Sequence, residues 1–213
     1  MKTILLFFAL INSGLFCNAQ AIAKADFRIP DNAATIKSVT LLIADVTVEI
    51  NAGGEINNVN TITGGNIDYY NNFDGAEKSG KIKSIGTTTV DYYNRFDDAE
   101  KSGKIKSIGS ISIDYYTRFD DRQKVGKLKS IGPNKIDYYN SFDDNIKMGK
   151  LKTIGNVNID YFTAFDSNEK IGKVKSIGTI TVDYFSIFDD SGKVGKIKSI
   201  TGNTATIYAT IQN

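Results

Sequence analysis

The sequence predicts an all-β protein, an antiparallel array of stacked β-hairpin repeats forming an elongated or curved sheet. Three observations carry this. First, a 23-residue unit recurs six times, with Phe73, Phe96, Phe119, Phe142, Phe165 and Phe188 at constant spacing, as are Asp68 to Asp183 and Gly80 to Gly195. A fixed period of this size marks a stacked series of one supersecondary unit. Second, each unit holds two stretches rich in β-branched and aromatic residues, separated by Asp, Asn, Ser and Gly. Third, no stretch shows a helical period of 3.6.

The elements follow in order within one unit, for which Gly86 to Ile108 serves: GTTTVDYYNRFDDAEKSGKIKSI. Thr88 to Tyr93 reads as one strand and Lys104 to Ile108 as the other, with apolar and charged residues alternating. NRFDDAEKSG between them reads as a loop. The junction after each KSI triplet reads as a tight turn, because one copy places Gly132-Pro133-Asn134 there and proline cannot donate to a central ladder. A three-residue turn at those positions sets a register in which Ile131 faces Lys135, Lys129 faces Asp137, Leu128 faces Tyr138 and Lys127 faces Tyr139. Lys106–Asp114 and Lys83–Asp91 follow from the same pairing. One Tyr row and the Phe row are expected in the core.

An alternative is one long strand per repeat, giving a meander or barrel of about eight strands. The segment Ile36 to Asp45 favours it, since it keeps the nine-residue spacing from Ile to Asp with Thr40 in place of glycine. A membrane barrel is disfavoured because both strand faces carry Lys, Asp or Ser.

The chain divides into residues 1–19, a signal peptide; 20–34, an N-terminal arm; 35–62, N-terminal capping strands; 63–200, the six repeats; and 201–213, a C-terminal capping strand. Lys2, the apolar run Ile4 to Phe16 and the small residues Cys17 and Ala19 make the export signal. A small insertion sits near Thr63 to Gly65, where the spacing to Asp68 is stretched. Degenerate end units are expected where sheet edges must be covered.

The pieces IDYY…FD and GK[IL]KSI resemble the YD repeats of Rhs-type proteins, over about residues 54 to 200. That family joins a Tyr-Asp element to a Gly-Arg-Leu element in β-hairpins. Here Phe96 precedes Asp97, six positions separate Asp97 from Gly103, and Lys104 stands in place of the arginine. MORN repeats share the period and hairpin form without this sequence pattern. The resemblance implies the hairpin array and no function.

Cleavage after Ala19 removes Lys2 and no acidic residue, leaving 25 basic against 24 acidic side chains, a net +1. No basic stripe for nucleic acid is present. Cys17 is the only cysteine and there is no His, which excludes thiol catalysis, disulfides and the usual zinc sites. The mature chain has no transmembrane segment by this reading.

Three surfaces are candidates. The second aromatic of each pair, Tyr70, Tyr93, Tyr116, Tyr139, Phe162 and Phe185, forms a possible interaction surface for an unknown protein or glycan partner. The Asp-Asp loops, such as Asp97-Asp98 and Asp143-Asp144, offer oxygen ligands to calcium, although Asp also starts turns by bonding its own backbone. The Lys and Asp rows suit a soluble polar face. No catalytic residue is assigned, because the carboxylates recur in every unit whereas an active site is a single constellation. The expectation is an exported, secreted noncatalytic repeat protein, periplasmic, cell-surface or extracellular. Its role would be structural or multivalent. The alternatives are a secreted glycan-binding module or carbohydrate-active enzyme, and a calcium-stabilised extracellular scaffold.

Overall fold

The computed structural model describes residues 21–32 and 35–212, so the expected signal peptide lies outside the described residues. Two sheets share one hydrophobic core. The smaller comprises β1 (Ile22–Pro30), β2 (Ser38–Ile43), β3 (Val46–Asn51), β4 (Ile56–Thr61) and β17 (Ile207–Gln212), in the order β17-β1-β2-β3-β4. The larger holds twelve strands in strict chain order and is not closed into a barrel. These are β5 (Ile67–Tyr69), β6 (Ile82–Ile85), β7 (Thr88–Tyr92), β8 (Ile105–Ile108), β9 (Ile111–Tyr115) and β10 (Leu128–Ile131). They continue as β11 (Asn134–Tyr138), β12 (Leu151–Ile154), β13 (Val157–Tyr161), β14 (Val174–Ile177), β15 (Ile180–Tyr184) and β16 (Ile197–Thr201). The stacked-hairpin reading holds; the eight long strands do not form, because the chain turns at the glycine of each repeat.

That turn has two residues, not three. Ile131 pairs with Asn134 and Ser130 with Lys135, leaving Gly132 and Pro133 as the loop. Gly132 has φ +54 while Pro133 keeps negative φ, the pattern of a II′ turn with glycine at its first central position. Proline fits the second position because its ring fixes φ near the value required there. The predicted pairs Ile131–Lys135, Lys129–Asp137, Leu128–Tyr138 and Lys127–Tyr139 are therefore corrected, and with them Lys106–Asp114 and Lys83–Asp91 as cross-strand neighbours.

The hairpin ladder has two rungs, and the same strand carries a bulge against the strand before it. Leu128 and Ile131 are three positions apart and both fully buried, which the two-residue alternation of a regular strand forbids. Between β9 and β10, Ser130 faces Asp114 and Leu128 faces Tyr115, so Lys129 is an extra residue that re-phases the strand. The same irregularity recurs between β7 and β8, β11 and β12, and β13 and β14.

Inward side chains alternate as the pattern demands: Ile111, Ile113 and Tyr115 are buried on β9 while Ser112 is exposed. They meet Phe27, Ile29, Leu41, Ile43, Val48 and Ile50 of the smaller sheet in one cluster. Residues 22–30, read as an arm, are extended but paired on both sides, antiparallel to β2 and parallel to β17. The stretched spacing at Thr63 to Gly65 is where the chain crosses from one sheet to the other. The sheets are also tied by backbone: the Leu128 N–H donates to the Gly54 carbonyl (2.8 Å) and the Ile197 N–H to the Asp31 side chain (3.1 Å). Among the described residues no helix is long and apolar enough to cross a membrane.

Candidate interaction surface

Each repeat is fastened to the next by the same contacts. The first tyrosine of each pair ends an inward strand face. Tyr115, Tyr138, Tyr161 and Tyr184 are at most 2% exposed, whereas Tyr69, at the open end of the array, is 55% exposed. Burial pushes the Tyr92 phenol up to about 12 and those of Tyr115, Tyr138, Tyr161 and Tyr184 higher.

The second aromatic sits just past the strand end and reaches across to the following repeat. Tyr70, Tyr93, Tyr116, Tyr139 and Phe162 stand edge-on to Tyr92, Tyr115, Tyr138, Tyr161 and Tyr184, at 6.0–6.3 Å between centroids. The four hydroxyls donate to the carbonyls of Val90, Ile113, Ile136 and Ile159 at 2.8–3.0 Å. These residues, singled out in the sequence as an interaction surface with Phe185, are placed between repeats, half-buried or, for Tyr139, buried.

Two lysine rows complete the junctions. Lys78, Lys101, Lys124, Lys147 and Lys170 leave the loops and pair with Asp91, Asp114, Asp137, Asp160 and Asp183 of the following repeat at 2.5–2.7 Å. Burial alone would raise the carboxyls of Asp91, Asp137 and Asp160, but the lysine and the next backbone N–H outweigh it and hold them below the ordinary range. Lys81, Lys104, Lys127, Lys150 and Lys173 donate instead to the carbonyls of Gly103, Gly126, Gly149, Gly172 and Gly195. Each lies over the inner tyrosine of the next repeat, and burial lowers its pKa.

The loops present the exposed residues. In the second repeat the Asp97 N–H donates to the Asn94 carbonyl (3.1 Å), its carboxylate accepts from the Asn94 N–H (2.8 Å), and the Asn94 side chain accepts from the Phe96 N–H (2.8 Å). Thr117–Asp120, Asn140–Asp143, Thr163–Asp166 and Ser186–Asp189 repeat the carboxylate-to-N–H lock. With the backbone satisfied inside the turn, the phenylalanine points away from the sheet. The six are 82–99% exposed, which overturns their expected place in the core. The sequence carried a signal for this: five of the six are flanked on both sides by polar or small residues, as in Asn94-Arg95-Phe96-Asp97, Phe188 with Ile187 before it being the exception. Arg95 and Arg118 lie over the rings of Phe96 and Phe119 at 4.9 and 5.2 Å.

The Asp-Asp loops use their oxygens locally. The first Asp locks the turn and accepts from Lys129, Lys152 or Lys198 in three repeats; the second accepts from the Gln123, Ile146 or Gly192 N–H. Among the described residues no group of three or more His, Cys, Asp or Glu could hold a metal ion.

All six loops join strands at the same end of the sheet, because every second connection of an antiparallel meander lies on one edge. The phenylalanines are thus two strands apart, about 9.6 Å at ~4.8 Å per strand. Counted over the whole connections between strands, 70–81, 93–104, 139–150, 162–173 and 185–196 are each neutral and 116–127 carries two net positive charges, so the edge totals only +2. Comparison with protein-family models, with curated proteins and with solved structures found no match.

Proposed function

We infer that this is an exported, noncatalytic repeat protein with a structural or multivalent interaction role, engaging its partner along the phenylalanine edge. The observation that supports the reading is the row itself: six aromatic side chains, one per repeat, held out by identical turns. An apolar row of this kind is costly to leave in water and suits association. Identical weak contacts at regular intervals gain by multivalency. The connections along this edge sum to only +2 and form no basic stripe, which disfavours nucleic acid and anionic membrane surfaces as partners.

A second reading, a neutral glycan chain as ligand, is favoured by the row's pitch, which is close to the two-sugar period of an extended β-1,4-linked polysaccharide. A soluble chain could follow a ridge that winds with the sheet twist; a flat crystalline face could not.

The test is a series of variants with one to six of the phenylalanines changed to serine. Binding is measured in a glycan array with soluble β-linked oligosaccharides and in pulldowns from the native cell envelope. Binding should weaken step by step with each removal. Loss on changing one particular phenylalanine, with the other five neutral, would argue for a single site instead, and binding unchanged in the sixfold variant would discard the edge.

A further inference from the structure

The contacts that fasten repeat to repeat are missing at both ends of the array, and the two ends lack complementary halves. At the first repeat, Asp68 is exposed and, among the described residues, accepts only from the Tyr69 N–H (2.9 Å). Its equivalents all hold a lysine from the preceding repeat. Ile67 is 49% exposed, where Val90, Ile113, Ile136, Ile159 and Val182 are at most 3%. At the last repeat, Lys193 has no following Asp and folds back on its own Asp190 (3.0 Å), with its side chain 54% exposed against 13–25% for its counterparts. Lys196, the equivalent of Lys173, is exposed.

The outer strands are complementary too. Among the described residues, β16 is an IKSI strand paired only with β15, and β5 is an IDY strand paired only with β6. In every internal hairpin an IKSI strand pairs with the strand carrying that IDY element across the glycine turn. Both of the chain's exits pack over a neighbouring turn. A Cβ on Gly65 would lie 2.7 Å from the Gly86 Cα, and one on Gly202 would lie 2.3 Å from the Thr179 carbonyl oxygen.

We propose that a second copy of this chain docks head to tail, β16 of one molecule against β5 of the next, continuing the sheet. The 23-residue spacing fixes the contacts: Lys193 to Asp68, Lys196 to the Gly80 carbonyl, and Phe185 edge-on to Tyr69. The rungs that close an internal hairpin fall here at Ser199 and Ile200 against Asn66 and Gly65, and Gly65 turns over Gly86, so the lysine and aromatic contacts carry the docking and set its register. Because the interface joins two different surfaces, it does not stop at a two-fold dimer and produces head-to-tail oligomers, open or closed into a ring. Such oligomers would extend the phenylalanine row, but the assembly does not depend on it.

Sedimentation velocity of the purified protein over micromolar to millimolar concentration tests this. The sedimentation coefficient should rise with concentration without stopping at a dimer. Asp68→Lys and Lys193→Glu, with folding verified by circular dichroism, should each weaken association by about tenfold or more, since like charges then meet. An equimolar mixture of the two should associate again with the two variants alternating, because opposite charges meet at every junction. The double variant should oligomerise by itself, its two end charges having exchanged places. The variant with all six loop phenylalanines changed to serine should assemble as the wild type does. A monomer at every concentration, association unaffected by either end variant, no rescue on mixing, or assembly lost with the phenylalanines would each overturn the proposal.

Discussion

Two kinds of aromatic residue divide the labour at the scale of single side chains. The tyrosines are spent on holding repeats together and the loop phenylalanines are not. Phe96→Ser should therefore change unfolding stability by less than about 0.5 kcal/mol, whereas Ile108→Ala should cost about 2–5 kcal/mol in denaturant melts. Hydroxyls separate in the same way. Tyr184 donates to the Val174 carbonyl at 3.0 Å, while the buried Tyr138 hydroxyl has no partner among the described residues. Tyr184→Phe should lose about 1 kcal/mol and Tyr138→Phe should be neutral or stabilising.

The titration of these residues gives a pH profile. Asp91, Asp137, Asp160 and Asp183 have carboxyls depressed below 3.8, so their contribution is present above that pH and is lost as pH falls through the folded-state values. The buried tyrosines titrate above 10.0, Tyr92 at about 12, so their contribution is intact below pH 10 and is lost as pH rises beyond it. The lysines lowered by burial act oppositely: charged in both states they cost stability, and that cost is relieved as pH rises toward 10.5. Thermal melts should show a plateau that rises slightly toward pH 10, then a steep fall above it and a second fall below pH 4. A melting temperature insensitive to pH above 10 would contradict the placement of the tyrosines.

At the scale of the element, the hairpin was legible in sequence because Gly and Pro punctuate it, but its register was not. Gly132-Pro133-Asn134 reads equally as two or three turn residues, and the choice shifts every partner by one. What decides is the Ile-x-x-Ile spacing of the IKSI strand, which demands a bulge if both isoleucines are to be buried. That spacing is visible in the sequence, and with it the bulge against the preceding strand follows. The lysine of the loop found its aspartate one repeat along, a contact between units that pairing within one hairpin cannot reveal. Gly109, with φ +55 in the turn, has room for a methyl group beside Thr88, so Gly109→Ala isolates backbone strain. It should cost about 1 kcal/mol or more by urea unfolding, without changing the fold.

At the scale of the whole molecule, the second sheet changes what the repeats can do alone. A free array would unfold piecemeal. Here β17 returns from the last repeat to lie beside β1, so the last part of the chain completes the sheet begun by the first. Removing residues 205–213 should lower the melting temperature by about 10 °C or more and strip exchange protection from the β1 amides, rather than fray the last repeat only. This closure was not legible in sequence: nothing in Ile22 to Pro30 repeats, and a parallel partner far along the chain leaves no local signal. The period announced the array, whereas the cover over it depends on long-range pairing.

The most direct measurement is fluorine NMR of the protein carrying fluorophenylalanine, with a soluble paramagnetic agent added. Phe27, which is fully buried, serves as the internal reference. The resonances of Phe73, Phe96, Phe119, Phe142, Phe165 and Phe188 should broaden strongly and together. Six loop resonances as protected as that of Phe27 would place the row inside the molecule and contradict the account.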